Sequence, residues 1–420
     1  MTFTYIFLAF LLLGLFTQFF LAQRQMRSAI HHQHQVPAGF ENAISLADHQ
    51  KAAQYTTAKL KLSWIETVAS QSLLITLTLF GLLYTIHQGL LQYFPAGVWQ
   101  QIALLIALSL LSSVVDLPFS WYKQFRLEES FGFNRMTQTL FWLDFLKGSL
   151  LSLVIGIPLL WVVLTLMQGA GQFWWLYAWV FLVAFILLAT WIVPVWIAPL
   201  FNKFKPLDDG PLKTSIQLLL DRCGFVSKGL FVMDGSKRSA HGNAYFTGIG
   251  KNKRIVFFDT LIEKLSPPEI EAVLAHELGH FKKNHVRKRM LLTFLMSLIG
   301  LALLGWLSNQ IWFYESLGVF PERDGNNAGL ALALFSLTIP VFTFFITPLG
   351  SLLSRKHEFE ADAFAAEKTN AQNLVSALIK LYQDNAATLT PDRLYSAFYD
   401  SHPPAPIRIA HLNQLGQATS

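Results

Sequence analysis

Seven runs of apolar side chains, each long enough to cross a bilayer, constrain this 420-residue chain more than any other feature. In lipid no water is available to backbone N–H and C=O groups. A spanning segment of about 20 residues must therefore satisfy them internally as a helix. The runs are Phe3–Ala22, Ile65–Leu91, Trp99–Trp121, Phe141–Leu166, Phe173–Leu200, Met290–Phe313 and Leu330–Leu353. Composition agrees, since only 14% of residues are charged and 53% are apolar, against roughly 25% charged in a soluble domain. The expectation is a mainly α, multi-pass integral membrane protein with seven transmembrane helices.

Charge gives the orientation. No basic residue precedes the first run, whereas Arg24 and Arg27 follow it, which reads as an uncleaved anchor with its N-terminus outside. Segments 23–62, 122–138, 201–289 and 354–420 then lie inside with 5, 3, 16 and 6 Lys or Arg, while the outside loops carry only Arg323. That asymmetry is the positive-inside pattern, and it places the C-terminus in the cytoplasm. The net charge of +6 is thereby assigned to loops facing anionic lipid rather than to nucleic acid, which is not expected as a partner. The single cysteine, Cys223, allows no intramolecular disulfide, as suits a reducing compartment.

The chain divides into a five-span membrane region (1–200), an inside loop (201–289), a two-span hairpin (290–353) and a C-terminal region (354–420). Within the loop, Leu212–Cys223 reads as an amphipathic helix, and Leu230–Asp234, Ala244–Thr247 and Arg254–Asp259 as short strands, with a turn over Gly248–Lys253. The C-terminal region reads as helical with a break at Ser401-His402-Pro403-Pro404. Loop and C-terminal region are expected to fold together as one α+β catalytic unit. His31, His32 and His34 read as a solvated cluster.

The chemistry is concentrated in His276-Glu277-Leu278-Gly279-His280. Histidines four apart share a helix face and can ligate one metal, and the intervening glutamate can reach a water beside it. Ser266-Pro267-Pro268-Glu269 is a capping box that starts this helix, and Lys282, Lys283 and His285 suit its C-terminus. Gly279 is expected to leave room for a metal or a substrate backbone. A catalytic zinc takes three protein ligands, and the third is sought in Ser354–Asp362. Glu358 and Asp362 share a helix face, and His357 and Glu360 are rivals; spacing alone does not choose among them. Two crossings separate this segment from the first two ligands, so both lie on the inside.

At this point the sequence resembles a known family, the type I CAAX prenyl proteases. The resemblance runs through Leu117–Tyr122, Phe131–Asn134, Ile197–Phe204, Asn243–Phe246, His276–His285, Glu358–Asp362 and Ser401–Pro404, and so covers nearly the whole chain. It implies seven helices enclosing an intramembrane chamber, with a small gluzincin-type zinc catalytic unit on the cytoplasmic side. It implies one Zn2+ per chain on His276, His280 and Glu358, and a place for Asp362 behind a ligand. It further implies that His402 and Arg408 lie beside the scissile bond and that Asn243 holds substrate backbone.

The expected function is that of a membrane zinc metalloendopeptidase with Glu277 as general base. It would act on a peptide or protein substrate, prenylated or not, at the bilayer of a bacterial inner membrane or endoplasmic reticulum. The alternatives are a general quality-control protease of the membrane and, in another class, a zinc-containing scaffold or transporter without proteolysis.

Overall fold

The computed structural model describes residues 2–247, 254–322 and 326–419. The expected turn over 248–253 and Arg323 lie outside them.

Helix α1 (Thr2–His32) runs ten residues past the predicted end of the first span. A short loop leads to α2 (Leu46–Leu77), capped by Ser45, and α3 (Leu82–Leu91). The predicted second span, Ile65–Leu91, is therefore not one helix: it breaks between Leu77 and Leu82 with a 55° bend. Gly81 sits at the break with φ +71°, a conformation that costs glycine little. Among the described residues six helices are individually long and apolar enough to span, and the bent pair, taken as one span, brings the number to seven. The others are α4 (Val98–Tyr122), α5 (Gln138–Gly169) and α6 (Trp174–Ile192), the last running through a π-helical turn into α7 (Ala198–Phe201).

The catalytic unit follows. Strand β1 (Phe204–Pro206), missed in the sequence, precedes α8 (Pro211–Arg222) and is followed by β2 (Leu230–Met233), β3 (Ala244–Thr247) and β4 (Arg254–Phe258). The sheet order is β1-β2-β4-β3, with β2 and β4 parallel and the outer pairs antiparallel, so β3 is an edge strand. Then come α9 (Asp259–Lys264), α10 (Pro267–Lys282), α11 (His285–Leu307), α12 (Ile311–Glu315) and α13 (Ala328–Thr343). After a 3-10 turn, α14 (Thr347–Lys368) crosses the expected 353/354 boundary unbroken. The end of the last span and the carboxylate-bearing segment thus share one helix. Helices α15 (Ala371–Asp384), α16 (Arg393–Tyr399) and α17 (Ala405–Thr419) complete the chain, with the expected break between the last two.

Among the described residues the two largest cores lie at opposite ends of the spans. The catalytic core joins α8, the sheet, α10, α15 and α17, and takes Val36, Phe40 and Ile44 from the loop before α2. The opposite core joins the far ends of α1, α2, α4, α6, α11 and α13 around Phe7, Leu104, Trp174 and Phe313. Between them the helices bury little. Helix α5 buries only Val163 and Leu164, α6 only Trp174 and Ala178, and α11 nothing from Val286 to Gly300.

Asp144, within the fourth span, is not idle. Its carboxylate takes a bidentate pair from Arg238 at 2.9 and 3.2 Å. The same guanidinium donates to Asn202 Oδ1 at 2.9 Å and to Phe201 O at 2.6 Å. A membrane helix is thereby pinned to the loop that leads into β3.

Candidate metal centre

Helix α10 begins where the capping box predicts. Ser266 N donates to Glu269 Oε2 at 2.7 Å. Glu269 does more than cap: it accepts from Ser376 at 2.6 Å and from Lys380 at 2.8 Å on α15. Burial works against its charge, but these donors outweigh it and hold its carboxyl at about 2.

Helix α14 lies across α10 at very close range. A Cβ at Gly279 would sit 2.9 Å from Ala361 Cα and 3.1 Å from Ala361 O. The expectation that Gly279 makes room for metal or substrate is therefore corrected: the room is filled by the α14 backbone. This approach delivers Glu358 to the two histidines. His276 Nε2 and His280 Nε2 are 3.2 Å apart, and Glu358 oxygens lie 3.4 and 3.2 Å from them. The three form the one His/Cys/Asp/Glu group arranged to hold a metal ion among the described residues. His31, His32 and His34 form no such group.

The donor set fits zinc. Two imidazole nitrogens and one carboxylate leave a coordination position free for water, as a catalytic site requires. Glu358 is 4% exposed, and its buried Oε2 meets only the nitrogens of His402, His276 and Arg408, at 2.7, 3.4 and 3.5 Å, surroundings that favour its charged form and suit it to a cation.

Each histidine is backed on its far nitrogen, by different means. His276 Nδ1 lies 2.8 Å from Asp362 Oδ1. Asp362 in turn accepts two bonds of 2.7 Å from Arg408. Arg408 is 5% exposed, and its pKa is raised: burial opposes the charge, but Asp362 more than compensates. His280 Nδ1 lies 3.0 Å from His285 Nδ1, and His285 Nε2 lies 2.8 Å from Glu360. His357 stacks on His285 at 4.0 Å. The two rival candidates of the sequence, His357 and Glu360, thus serve this relay and stand outside the triad. The sequence shows His285 as a helix-end charge and as the last residue of the His276–His285 stretch of the family resemblance; its spacing five residues after His280 is the local signal for a place beside that ring.

Glu277 is half-buried and forms no hydrogen bond or ion pair among the described residues. It faces a cavity of about 640 Å³ shared with Asn243, His402, Arg408, Tyr55 and Lys59. His402 is exposed, with Nδ1 2.7 Å from Glu358 Oε2. Asn243 stands at the head of the edge strand, its side-chain oxygen accepting from Ala244 N at 2.8 Å.

A helical membrane scaffold that presents two histidines, a glutamate and a free carboxylate at one face defines a membrane zinc metallopeptidase. The chain belongs to peptidase family M48, whose family model matches residues 206–415; a second model, of the CAAX prenyl protease N-terminal region with five membrane helices, matches 25–203. It is 38% identical over 407 residues to CAAX prenyl protease 1 of Saccharomyces cerevisiae, spanning 91% of this chain and 89% of that one. The CAAX prenyl protease 1 homolog of Homo sapiens is 32% identical over 445 residues, spanning 95% and 92%. The fold superposes on the crystal structure of S. mikatae Ste24p with a TM-score of 0.90 at 35% identity, covering 98% of this chain and 99% of that one.

Proposed function

We propose that this metallopeptidase removes the C-terminal tripeptide after a prenylated cysteine, as the names of its relatives suggest. The observation that carries the reading is the cavity in which Asn243, Glu277 and His402 converge beside the His276–His280–Glu358 cluster, at one end of an apolar helical scaffold. In this reading the N-terminus is outside and the catalytic unit cytoplasmic. Segments 1–200, 201–289, 290–353 and 354–420 act as membrane region, catalytic loop, hairpin and catalytic C-terminal region.

His276, His280 and Glu358 would hold the zinc, which when bound lowers the pKa of water and polarises a carbonyl. Glu277, with no competing partner, accepts the proton of the attacking water and passes it to the leaving amine. His402 donates toward the oxygen on which negative charge develops. Asn243 holds substrate backbone laid along β3 as an added strand. Arg408 and Asp362 keep the His276 ring turned so that Nε2 faces the cluster.

The test is mass spectrometry of products from a C-a-a-X peptide, farnesylated and unfarnesylated, given to the purified protein. Cleavage after the cysteine, dependent on the lipid and abolished in Glu277→Gln with zinc retained, is expected. The drop should be about 10²- to 10⁴-fold. Equal cleavage of both peptides at scattered bonds would move the function to general membrane proteolysis.

A further inference from the structure

Releasing a C-terminal tripeptide brings a full negative charge into the site. The terminal carboxylate lies three residues beyond the scissile bond, roughly 10 Å along an extended chain. In a confined cavity a carboxylate needs a charged donor. The cavity that holds Glu277, Asn243 and His402 is lined by a guanidinium, Arg408, and an amine, Lys59, whose pKa burial pushes down. Arg408 is committed to Asp362 through its two 2.7 Å bonds.

Lys59, from α2, forms no ion pair among the described residues. Its Nζ lies 4.1 Å from the Tyr55 ring centroid, a cation–π contact that steadies the ammonium while leaving its hydrogens available. The neighbouring acid, Glu128, is engaged elsewhere: the Tyr55 hydroxyl donates to it at 2.6 Å, and His241 Nε2 lies 3.7 Å from its other oxygen.

Strand direction puts Lys59 at the right end. An added strand running antiparallel to β3 has its C-terminal end at the start of β3. There Ser239, His241 and Asn243 line the cavity together with Tyr55 and Lys59. Lys59 also lines an adjoining cavity of about 540 Å³ with His402 and Tyr382, so it stands where the two spaces meet.

We propose that Lys59 is the anchor for the substrate's C-terminal carboxylate, and that this anchor sets the cut three residues from the chain end. The anchor rests on the tripeptide-releasing reading above. It makes Lys59 a specificity-determining residue and gives a role beside a peptidase site to an amine that, among the described residues, has no carboxylate within ion-pair distance.

The experiment uses full-length purified protein and two farnesylated C-a-a-X peptides that differ only in ending as a free acid or a carboxamide. The wild type should favour the acid about tenfold or more in kcat/KM, chiefly through KM, as loss of a charged hydrogen bond implies. In Lys59→Gln the acid-to-amide ratio should fall to about one, and Lys59→Arg should keep most of it. Losses of folding or zinc scale both peptides alike and cancel in the ratio. A wild-type ratio near one, or a Lys59→Gln ratio equal to wild type, overturns the anchor while leaving the peptidase reading intact. A wild type that releases a tripeptide from neither peptide overturns that reading and the anchor with it.

Discussion

Gly279 on α10 faces the backbone of Ala361 on α14 so closely that a single methyl group would lie 2.9 Å from Ala361 Cα. Glu358 and Asp362 sit on the same helix as Ala361, one turn or less away. The helix spacing at this point therefore fixes the positions of both Glu358, the proposed third ligand, and the carboxylate behind His276. Gly279→Ala is expected to force the helices apart, costing about 1–3 kcal/mol as overpacking does, and to lower zinc content along with turnover. Metal analysis of the purified variant checks this. Full zinc occupancy with wild-type thermal stability would show that the close approach does not set the site.

The relay behind His280 makes a second expectation. His280 turns Nε2 toward the cluster, so its Nδ1 carries the proton and donates to His285 Nδ1 at 3.0 Å. His285 Nε2 then donates to Glu360 at 2.8 Å. Both tautomers follow from that chain of donors. His285→Ala should weaken zinc binding about 10- to 100-fold, the usual size for removing such a partner, and Glu360→Gln should weaken it less. Competition with a chelator reads the affinity directly. If His285→Ala releases zinc no more readily than wild type, the relay is only packing.

How much of this was legible in the sequence differs by type of contact. The capping box, His276, Glu277 and His280 lie on one helix and are set by a fixed 3.6-residue period, so reading them needs no tertiary knowledge. The choice among His357, Glu358, Glu360 and Asp362 does not follow from that period, because all four lie on one helix whose rotation is set by neighbours. In the structure Glu358 and Asp362 face α10, while His357 and Glu360 face the start of α11. The family resemblance pointed to Glu358 where spacing could not. The break at Gly81 was hidden because apolar content is continuous across it. Strand β1 was hidden because three residues carry no readable alternation. The pairing of Asp144 with Arg238, 94 residues apart, has no local signature at all.

That pairing carries a third expectation. Arg238 ties α5 to the segment entering β3, with side chains only 21% and 16% exposed. Asp144→Asn removes the charge and leaves the guanidinium with Asn202 and the Phe201 carbonyl. The loss should be about 1.5–3 kcal/mol, the scale of hydrogen bonds to a charged group. It should appear as faster hydrogen exchange in residues 238–247 and a raised KM, with α15 unaffected. Unchanged exchange in that segment would mean that the sheet holds the edge strand without help from the membrane helix.

The last expectation concerns pH and follows from Glu269. Its carboxyl titrates at about 2 in the folded protein against an ordinary value of 4.5. A group whose folded pKa is depressed stabilises the fold fully above its unfolded pKa, and that contribution is lost as pH falls through the folded value. Because its partner Lys380 is 42% exposed, solvent screening reduces this contribution to about 1–2 kcal/mol at neutral pH. Because Glu269 caps α10 and binds Ser376 and Lys380, the loss should fall on the contact between α10 and α15. Glu269→Gln should therefore be less stable than wild type at pH 7, and the gap should narrow as pH is lowered from 4.5 toward 2. Hydrogen exchange of the α10 amides, followed against pH in both proteins after zinc has been removed, separates this effect from protonation of the metal ligands. A gap that stays constant across the range would assign the role of Glu269 to hydrogen-bond geometry alone, with its charge contributing nothing.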